Sequence, residues 1–387
     1  MNTSASCGGK TPCVALVRQR YTPFGGAERF VDRAVETLAR QGMTVTVVAR
    51  HWHNDNGEGA GCDPFHLGRL WRDYGFARCV QRQWLGRPGW VVQSHERIPG
   101  CNLYRAGDGV HAQWLYHRAR VQNPLQRTAI MLNPYHRYLL AVERRMFGHP
   151  DLRAVICNSW MVHGEIKSWF NVAEDKLHVI HSGVDTDIFH PQLGEKYRRE
   201  IRREWGIPPQ ATVFLFVGSG YERKGLSTLI RAMTTAKEAW LMVVGRDARE
   251  KAFKGMAQRL QVSDRICFAG GREDVRPFYG AADAVVLPTL YDPFPNVALE
   301  AMACGLPLVT SHQCGASDFL KDGQAGLLCD ALDAVALSAH LCDLMDAKQR
   351  RLLGQQGRLL AETLTWERMG AQLDALYRKF FLGNNSL

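Results

Sequence analysis

Apolar residues along this chain fall into short runs, each followed by a polar loop and then by a stretch of helical periodicity. In the first half the runs are Cys13–Val17, Thr44–Ala49, Ala154–Cys157 and residues 177–180. In the second half they are residues 211–217, Trp240–Val244, residues 265–269, Ala284–Leu287 and residues 308–309. Runs this short with helices between them are strands of parallel sheets covered on both faces. The first intervening helix opens at Gly25-Gly26, carries Phe30, Ala34 and Leu38 on one stripe, and is closed by Gly42. A glycine pair at a helix start lets a ligand approach the backbone closely. It is not GxGxxG, so the dinucleotide fingerprint is missing. The segment 113–147 reads as helical. Residues 192–209 are charged and end in Pro-Pro, the composition of a linker. Beyond Asp318 the chain reads as helical, ending in an amphipathic helix over residues 366–381. The pattern predicts an α/β chain with one doubly wound sheet in each half.

The chemistry concentrates in residues 291–307, YDPFPNVALEAMACGLP. Asn296 stands where a short helix needs its N-cap, and Gly305 with Pro307 ends that helix. Val297, Glu300, Ala301 and Cys304 then share one face. A carboxylate on so apolar a face needs a hydroxyl or N–H partner. Asp292 lies in the loop ahead of it. The N–H groups of Asn296, Val297 and Ala298 would form an anion site. One reading is therefore a diphosphate at the helix start, with the two acids on hydroxyls of a sugar and a ribose. The other is an N-capped core helix with a surface Asp and a hydrogen-bonded Glu. Upstream, GSGYERKG follows residues 211–217 and puts Arg223 and Lys224 at the carboxyl end of a strand. Open α/β sheets bind ligands there, and two cations would stabilise a diphosphate as leaving group. In the first half, RAGDGVH at 105–111 sets Asp108 and His111 near a helix start. An acid is stabilised there and a His is driven toward neutrality. An N-cap Asp with a surface His fits the same pattern.

The segment 291–311 resembles the acid-x7-acid signature of the family 4 retaining glycosyltransferases, carried here by Asp292 and Glu300 and by the trailing EAMACGLPLVTS. The resemblance implies a GT-B fold, two Rossmann-like domains facing across a cleft. It implies that Asp292 holds donor-sugar hydroxyls, that Glu300 holds the ribose and that the helix start at Asn296 takes the phosphates. The family's usual first acid is Glu rather than Asp. Lys224 and Arg223 fall where the family carries its diphosphate clamp, and Gly25 and Gly26 where its glycines close over the donor phosphates. Asp108 and His111 fall where it places a polar residue of the donor–acceptor cleft; the sequence does not choose between them. HSGVDTDIFHP, at 181–191, resembles the family's hinge. The implied organisation is an acceptor-side domain over 1–190, a linker over 191–209, a nucleotide-sugar domain over 210–365 and a helix over 366–387 crossing back to the first domain.

Composition narrows the picture. Apolar content of 46% and charged content of 22% are those of a globular protein. No apolar run is long enough to span a bilayer. The first twelve residues are small and polar, which reads as a loose tail without a signal peptide. Eleven Cys without a repeating spacing read as reduced thiols of a cytoplasmic protein. His51 and His53 lack a neighbouring acid cluster and read as loop, so no metal site is expected. The net charge of +10 is concentrated: residues 68–153 hold fourteen Arg, no Lys and five acids. One reading is a solvated basic face; an anionic membrane surface fits better, because Trp71, Trp84, Trp90, Trp114 and Tyr138 are interleaved with the Arg. No nucleic-acid-binding signature accompanies it.

VRQRYTPFGGAERFV and the 291–307 phrase most resemble bacterial enzymes that build the lipopolysaccharide core at the inner face of the cytoplasmic membrane. The expected activity is transfer of a hexose from a nucleotide-diphospho sugar, a UDP-hexose in that group, to a membrane-held acceptor, with no separate cofactor. A GT-B-shaped sugar-nucleotide epimerase and a non-enzymatic membrane-surface protein are the alternatives.

Overall fold

The computed structural model describes residues 13–20, 26–40, 42–50, 59–320, 323 and 325–382. Gly25, residues 1–12 and His51–His53 lie outside them. The chain forms two compact units, one of residues up to His181 together with those from Glu367 onward, the other Ser182–Trp366.

The first unit runs β1 (Cys13–Val17), α1 (Gly26–Arg40), β2 (Thr44–Ala49), β3 (Gly59–Gly61), α2 (Gly68–Gln83), β4 (Trp90–Ser94) and β5 (Leu103–Ala106). It continues α3 (His111–Ala119), α4 (Pro124–Leu132), α5 (Pro134–Phe147), β6 (Ala154–Cys157), α6 (Trp160–Phe170) and β7 (Leu177–Val179). Its seven strands are all parallel, in the order β3-β2-β1-β4-β5-β6-β7. All five residues of β1 are buried, as expected of a strand covered on both faces. Phe30, Ala34 and Leu38 supply the fully buried stripe of α1.

The second unit runs α7 (Leu193–Glu204), β8 (Val213–Val217), α8 (Leu226–Ala232), β9 (Trp240–Val244), α9 (Glu250–Arg259), β10 (Ile266–Gly270), α10 (Arg276–Ala281) and β11 (Ala284–Leu287). It continues α11 (Asn296–Ala303), β12 (Leu308–Ser311), β13 (Gly326–Cys329), α12 (Ala334–Asp343) and α13 (Ala347–Glu362). Its parallel sheet has the order β10-β9-β8-β11-β12-β13. A final helix, α14 (Trp366–Leu382), lies in the first unit from Glu367 onward, and its Tyr377 hydroxyl donates to the buried Gln93 of β4.

Several sequence expectations are corrected. The segment expected as a linker contains α7, packed on α10. Arg202 of α7 is buried, with its guanidinium donating to Asp283 and to the carbonyls of Ala281, Pro209 and Ala211. Arg198 and Arg202 pair with Asp283 and dock the helix, while the remaining charges of the segment face solvent. The stretch 113–147 is three helices, because Pro124 and Pro134 each start a new one behind an Asn cap. Trp84 and Trp90 are core residues, packed edge to face at 4.9 Å with Arg87 over both rings. The apolar stripe of α5 suits either a membrane surface or the domain core; Leu139, Val142 and Met146 are buried in the domain, and Arg137, Arg144 and Arg145 face outward as the pattern expects. Strand β13 adds to a region read as helical. The thiols are not all reduced either: Cys62, just after β3, is disulfide-bonded to Cys79 of α2, and Cys13 is also in a disulfide. Sequence spacing alone did not reveal that the fold brings these two Cα atoms to 5.9 Å.

Gly183, in the hinge-like phrase, has a packing reason. A Cβ there would stand 2.5 Å from the backbone nitrogen of Trp366, so only glycine admits the returning chain.

Candidate functional site

Each sheet reverses its winding once, between β1 and β4 in the first unit and between β8 and β11 in the second. Loops leaving two such strands diverge, and the crevice outside their carboxyl ends is where open α/β sheets bind ligands.

In the second unit the loop after β8 brings Arg223 and Lys224, and the loop after β11 brings Asp292. Lys224 Nζ donates to Asp292 Oδ2 at 2.5 Å, and Arg223 donates to the same oxygen at 3.1 Å. Lys224 and Asp292 are both buried. The Asp292 backbone is braced by residues 313–315: its N–H donates to the Gln313 carbonyl at 3.0 Å, and its carbonyl accepts from the Gly315 N–H at 2.8 Å. Burial pushes the Asp292 carboxyl upward, but Lys224 and Arg223 outweigh it and hold the group below the usual carboxylate range. Two cations against one carboxylate leave one positive charge for an anionic ligand. The two loops touch backbone to backbone at Gly225, whose φ is +81° and whose absent Cβ would fall 1.8 Å from the Pro288 carbonyl oxygen. Asp292 is therefore a buried ion-pair partner, not the surface residue of the alternative reading.

Asn296 is not the N-cap of α11. Pro295 holds that position in extended conformation, with no side-chain cap, and Asn296 is the first helical residue. Of the three N–H groups expected to be exposed, that of Ala298 donates to the Pro295 carbonyl at 3.0 Å. Among the described residues no acceptor meets the N–H groups of Asn296 and Val297. An uncapped helix start of this kind is open to an anion. One turn in, Glu300 is buried and accepts from the Tyr279 hydroxyl of α10 at 2.8 Å. Its need for a partner is thus met within the unit.

In the first unit Gly26 begins α1. Arg18 and Gln19 follow β1, Glu96 and Arg97 follow β4, and Asp108 follows β5. Gln19 ties the loops together: its N–H donates to Glu96 at 3.0 Å and its side-chain amide to Asp73 of α2 at 3.0 Å. Asp73 also accepts from the Tyr135 hydroxyl at 2.8 Å and from Arg72 at 2.7 Å. Burial opposes ionisation of Asp73, but these donors prevail and hold it low. Asp73, Glu96 and Asp108 line one pocket of about 170 Å³.

Asp108 is exposed and is not a cap, since Val110 precedes α3. Instead Glu143, buried on α5, accepts from the His111 N–H at 2.7 Å and from Arg97 at 2.7 Å, capping α3 from another helix. His111 is buried rather than on the surface, stacked on His136 at 5.2 Å with their ring nitrogens 3.1 Å apart. Burial first, and then nearby Arg97, push its pKa down to about 3, so the ring is neutral. The structure thus brings Asp108 to the pocket and His111 to a buried pair beside it. Asp73, Glu96, Arg97 and Glu143 escaped the sequence reading because each sits among other charged residues and its partners lie far along the chain. Among the described residues no group of three or more His, Cys, Asp or Glu is arranged to hold a metal ion.

The chain's family follows from its two halves. Residues 24–188 match the family Glycosyltransferase Family 4, and residues 197–359 match Glycosyl transferases group 1. The chain belongs to the family 4 glycosyltransferases. Lipopolysaccharide glucosyltransferase WaaG of Escherichia coli is 26% identical over 81% of this chain and 84% of its own. A D-inositol 3-phosphate glycosyltransferase of Acidothermus cellulolyticus is 26% identical over 78% of this chain and 70% of its own. The lipopolysaccharide core biosynthesis glycosyltransferase LpsE of Rhizobium meliloti is 33% identical over 40% of this chain and 46% of its own. The crystal structure of WaaG shares the fold, with a TM-score of 0.78 over 93% of this chain and 98% of that one, at 24% identity. That of Anabaena HepE with UDP-glucose does so at 0.69, over 95% of this chain and 100% of that one, at 16% identity. The fold of this family 4 glycosyltransferase is GT-B, with two Rossmann-like domains.

Proposed function

We propose that this glycosyltransferase moves a hexosyl unit from a UDP-sugar to a hydroxyl of a membrane-held saccharide such as a lipopolysaccharide core, with retention of configuration and without a divalent metal. The observation that carries the donor half is the net-positive cluster of Arg223, Lys224 and Asp292 at the second unit's switch point, near the uncapped start of α11. In this reading Lys224, Arg223 and the N–H groups of Asn296 and Val297 take the diphosphate and stabilise the charge that develops as it leaves. Ala298 contributes through its place in the first turn, its N–H being spent on Pro295. Glu300 holds ribose hydroxyls and Asp292 those of the hexose. Gly25 and Gly26 admit the donor close to the backbone, and Asp108 or His111 tunes the reacting centre.

The anomeric C–O bond to phosphate breaks, and the acceptor oxygen bonds the same face. The acceptor's proton passes to the departing phosphate oxygen. WaaG, a glucosyltransferase, and HepE, solved in complex with UDP-glucose, support a UDP-hexose.

Membrane docking is supported by α4. None of its residues is buried, and Leu125, Met131 and Leu132 are 83%, 76% and 67% exposed within the basic segment. Among the described residues no helix is long and apolar enough to cross a membrane. Such a surface fits an enzyme held at the inner face of the cytoplasmic membrane.

Calorimetric titration with UDP, GDP and ADP, no metal added, tests the donor half. UDP binding is expected, and binding of none of the three would overturn it. Vesicle binding should require anionic lipid and fade with salt; salt-independent binding to neutral vesicles would remove the membrane half.

A further inference from the structure

We infer that the pocket at the first unit's switch point takes a neutral, hydroxyl-bearing end of a saccharide acceptor and discriminates against a phosphorylated one. The inference rests on the glycosyl-transfer reading above and adds the chemical class of the acceptor.

Charge decides the class. Around the pocket three arginines meet four carboxylates. Arg72 pairs with Asp73 at 2.7 Å, Arg97 with Glu143 at 2.7 Å and Arg18 with Glu96 at 3.6 Å. Asp108 remains, exposed and with no ion-pair partner among the described residues. The surplus is one negative charge, the opposite of the donor cluster in the second unit. A phosphate monoester entering here would meet carboxylates ahead of any unengaged cation, and like-charge juxtaposition is strongly unfavourable. Sugar hydroxyls instead donate readily to carboxylate oxygens. Burial pushes the Glu96 carboxyl upward, with Asp108 adding to the effect and Arg18 opposing it, which marks a spot unwilling to hold further negative charge.

Aromatic residues extend the site outward. Trp71, 60% exposed, packs edge to face with Tyr74 at 6.2 Å, and Tyr74 with Tyr138 at 6.3 Å. Tyr138 lines the pocket. The negative faces of such rings suit the C–H faces of pyranoses, so this ladder fits an acceptor longer than one sugar.

Saturation-transfer NMR tests the inference on the full chain in the presence of UDP, with methyl hexosides and their phosphate monoesters as probes. The neutral member of at least one pair should bind about 10-fold or more tightly than its ester, and Glu96→Gln should weaken it by about 10- to 100-fold. Trp71→Ala, at a largely exposed position, should weaken it several-fold. Esters that bind as tightly as their neutral partners in every pair would overturn the inference. So would neutral binding unchanged in both variants, or no neutral hexoside binding at all. UDP affinity, measured on the same samples, separates the two readings: intact UDP binding with a reversed sugar preference sinks this inference alone, whereas absent UDP binding sinks the donor assignment.

Discussion

Replacing Lys224 by Met keeps most of the side chain's volume and removes its charge. The ammonium lies 2.5 Å from the Asp292 carboxylate, and both are buried. At an effective dielectric of about 20 their gross attraction is about 7 kcal/mol, much of it offset by the cost of desolvating two ions. Removing one partner of a buried pair costs about 3–5 kcal/mol because it strands the other. Arg223, 3.1 Å from the same oxygen, stays behind, so a loss near the low end, about 3 kcal/mol, is expected. The Asp292 pKa then rises. UDP loses one charge-assisted bond, about 1.5–3 kcal/mol, which weakens affinity by about 10- to 150-fold. Urea unfolding followed by tryptophan fluorescence measures the first effect and calorimetry with UDP the second. The double variant Lys224→Met, Asp292→Asn removes the stranded charge. It should recover most of the stability and none of the UDP affinity. A single variant that binds UDP within about two-fold of the parent would refute the donor assignment. A double variant as unstable as the single would refute the electrostatic account.

Four further outcomes follow from the structure. Gly225→Ala should cost about 3 kcal/mol or more and lower UDP affinity with it, because its Cβ collides with the Pro288 carbonyl. Gly220→Ala, also at positive φ but with open space around it, should cost only about 1–2 kcal/mol by urea unfolding. His111 carries a folded-state pKa of about 3; between the unfolded value of about 6.5 and that value only the unfolded chain takes up the proton, so stability falls as pH falls, by at most about 1.4 kcal/mol per pH unit. His111→Gln should flatten that slope in unfolding curves recorded from pH 7 to 5. Cys79→Ala opens a 17-residue link and should cost about 3 kcal/mol without reductant, with the difference vanishing in excess dithiothreitol.

The elements that bind themselves to the local pattern were legible before any coordinates. Short apolar runs separated by helical stretches imposed parallel sheets, since a strand covered on both faces must be apolar throughout, as β1 and β8 are. Asp292, Arg223 and Lys224 stood out because each lies in a loop between a strand and a helix, and Glu300 because it is a carboxylate on an otherwise apolar helix face. Hidden in the sequence was everything decided by partners far along the chain. That Asp292 spends its charge on Lys224 depends on how two loops are brought together by β8 and β11, and that Glu300 meets Tyr279 depends on α10 lying beside α11. The first unit's pocket was invisible for the same reason, since Gln19, Asp73, Glu96 and Asp108 come from four separate segments. Likewise α7 read as a linker because the sequence shows the charge of Arg202 but not Asp283, which buries it. Hydrophobic periodicity is a property of neighbours in sequence, so the chain alone determined its α/β architecture and the location of its most charged loops. Which charges cancel and which remain for a ligand is a property of neighbours in space, and only the tertiary structure decided that.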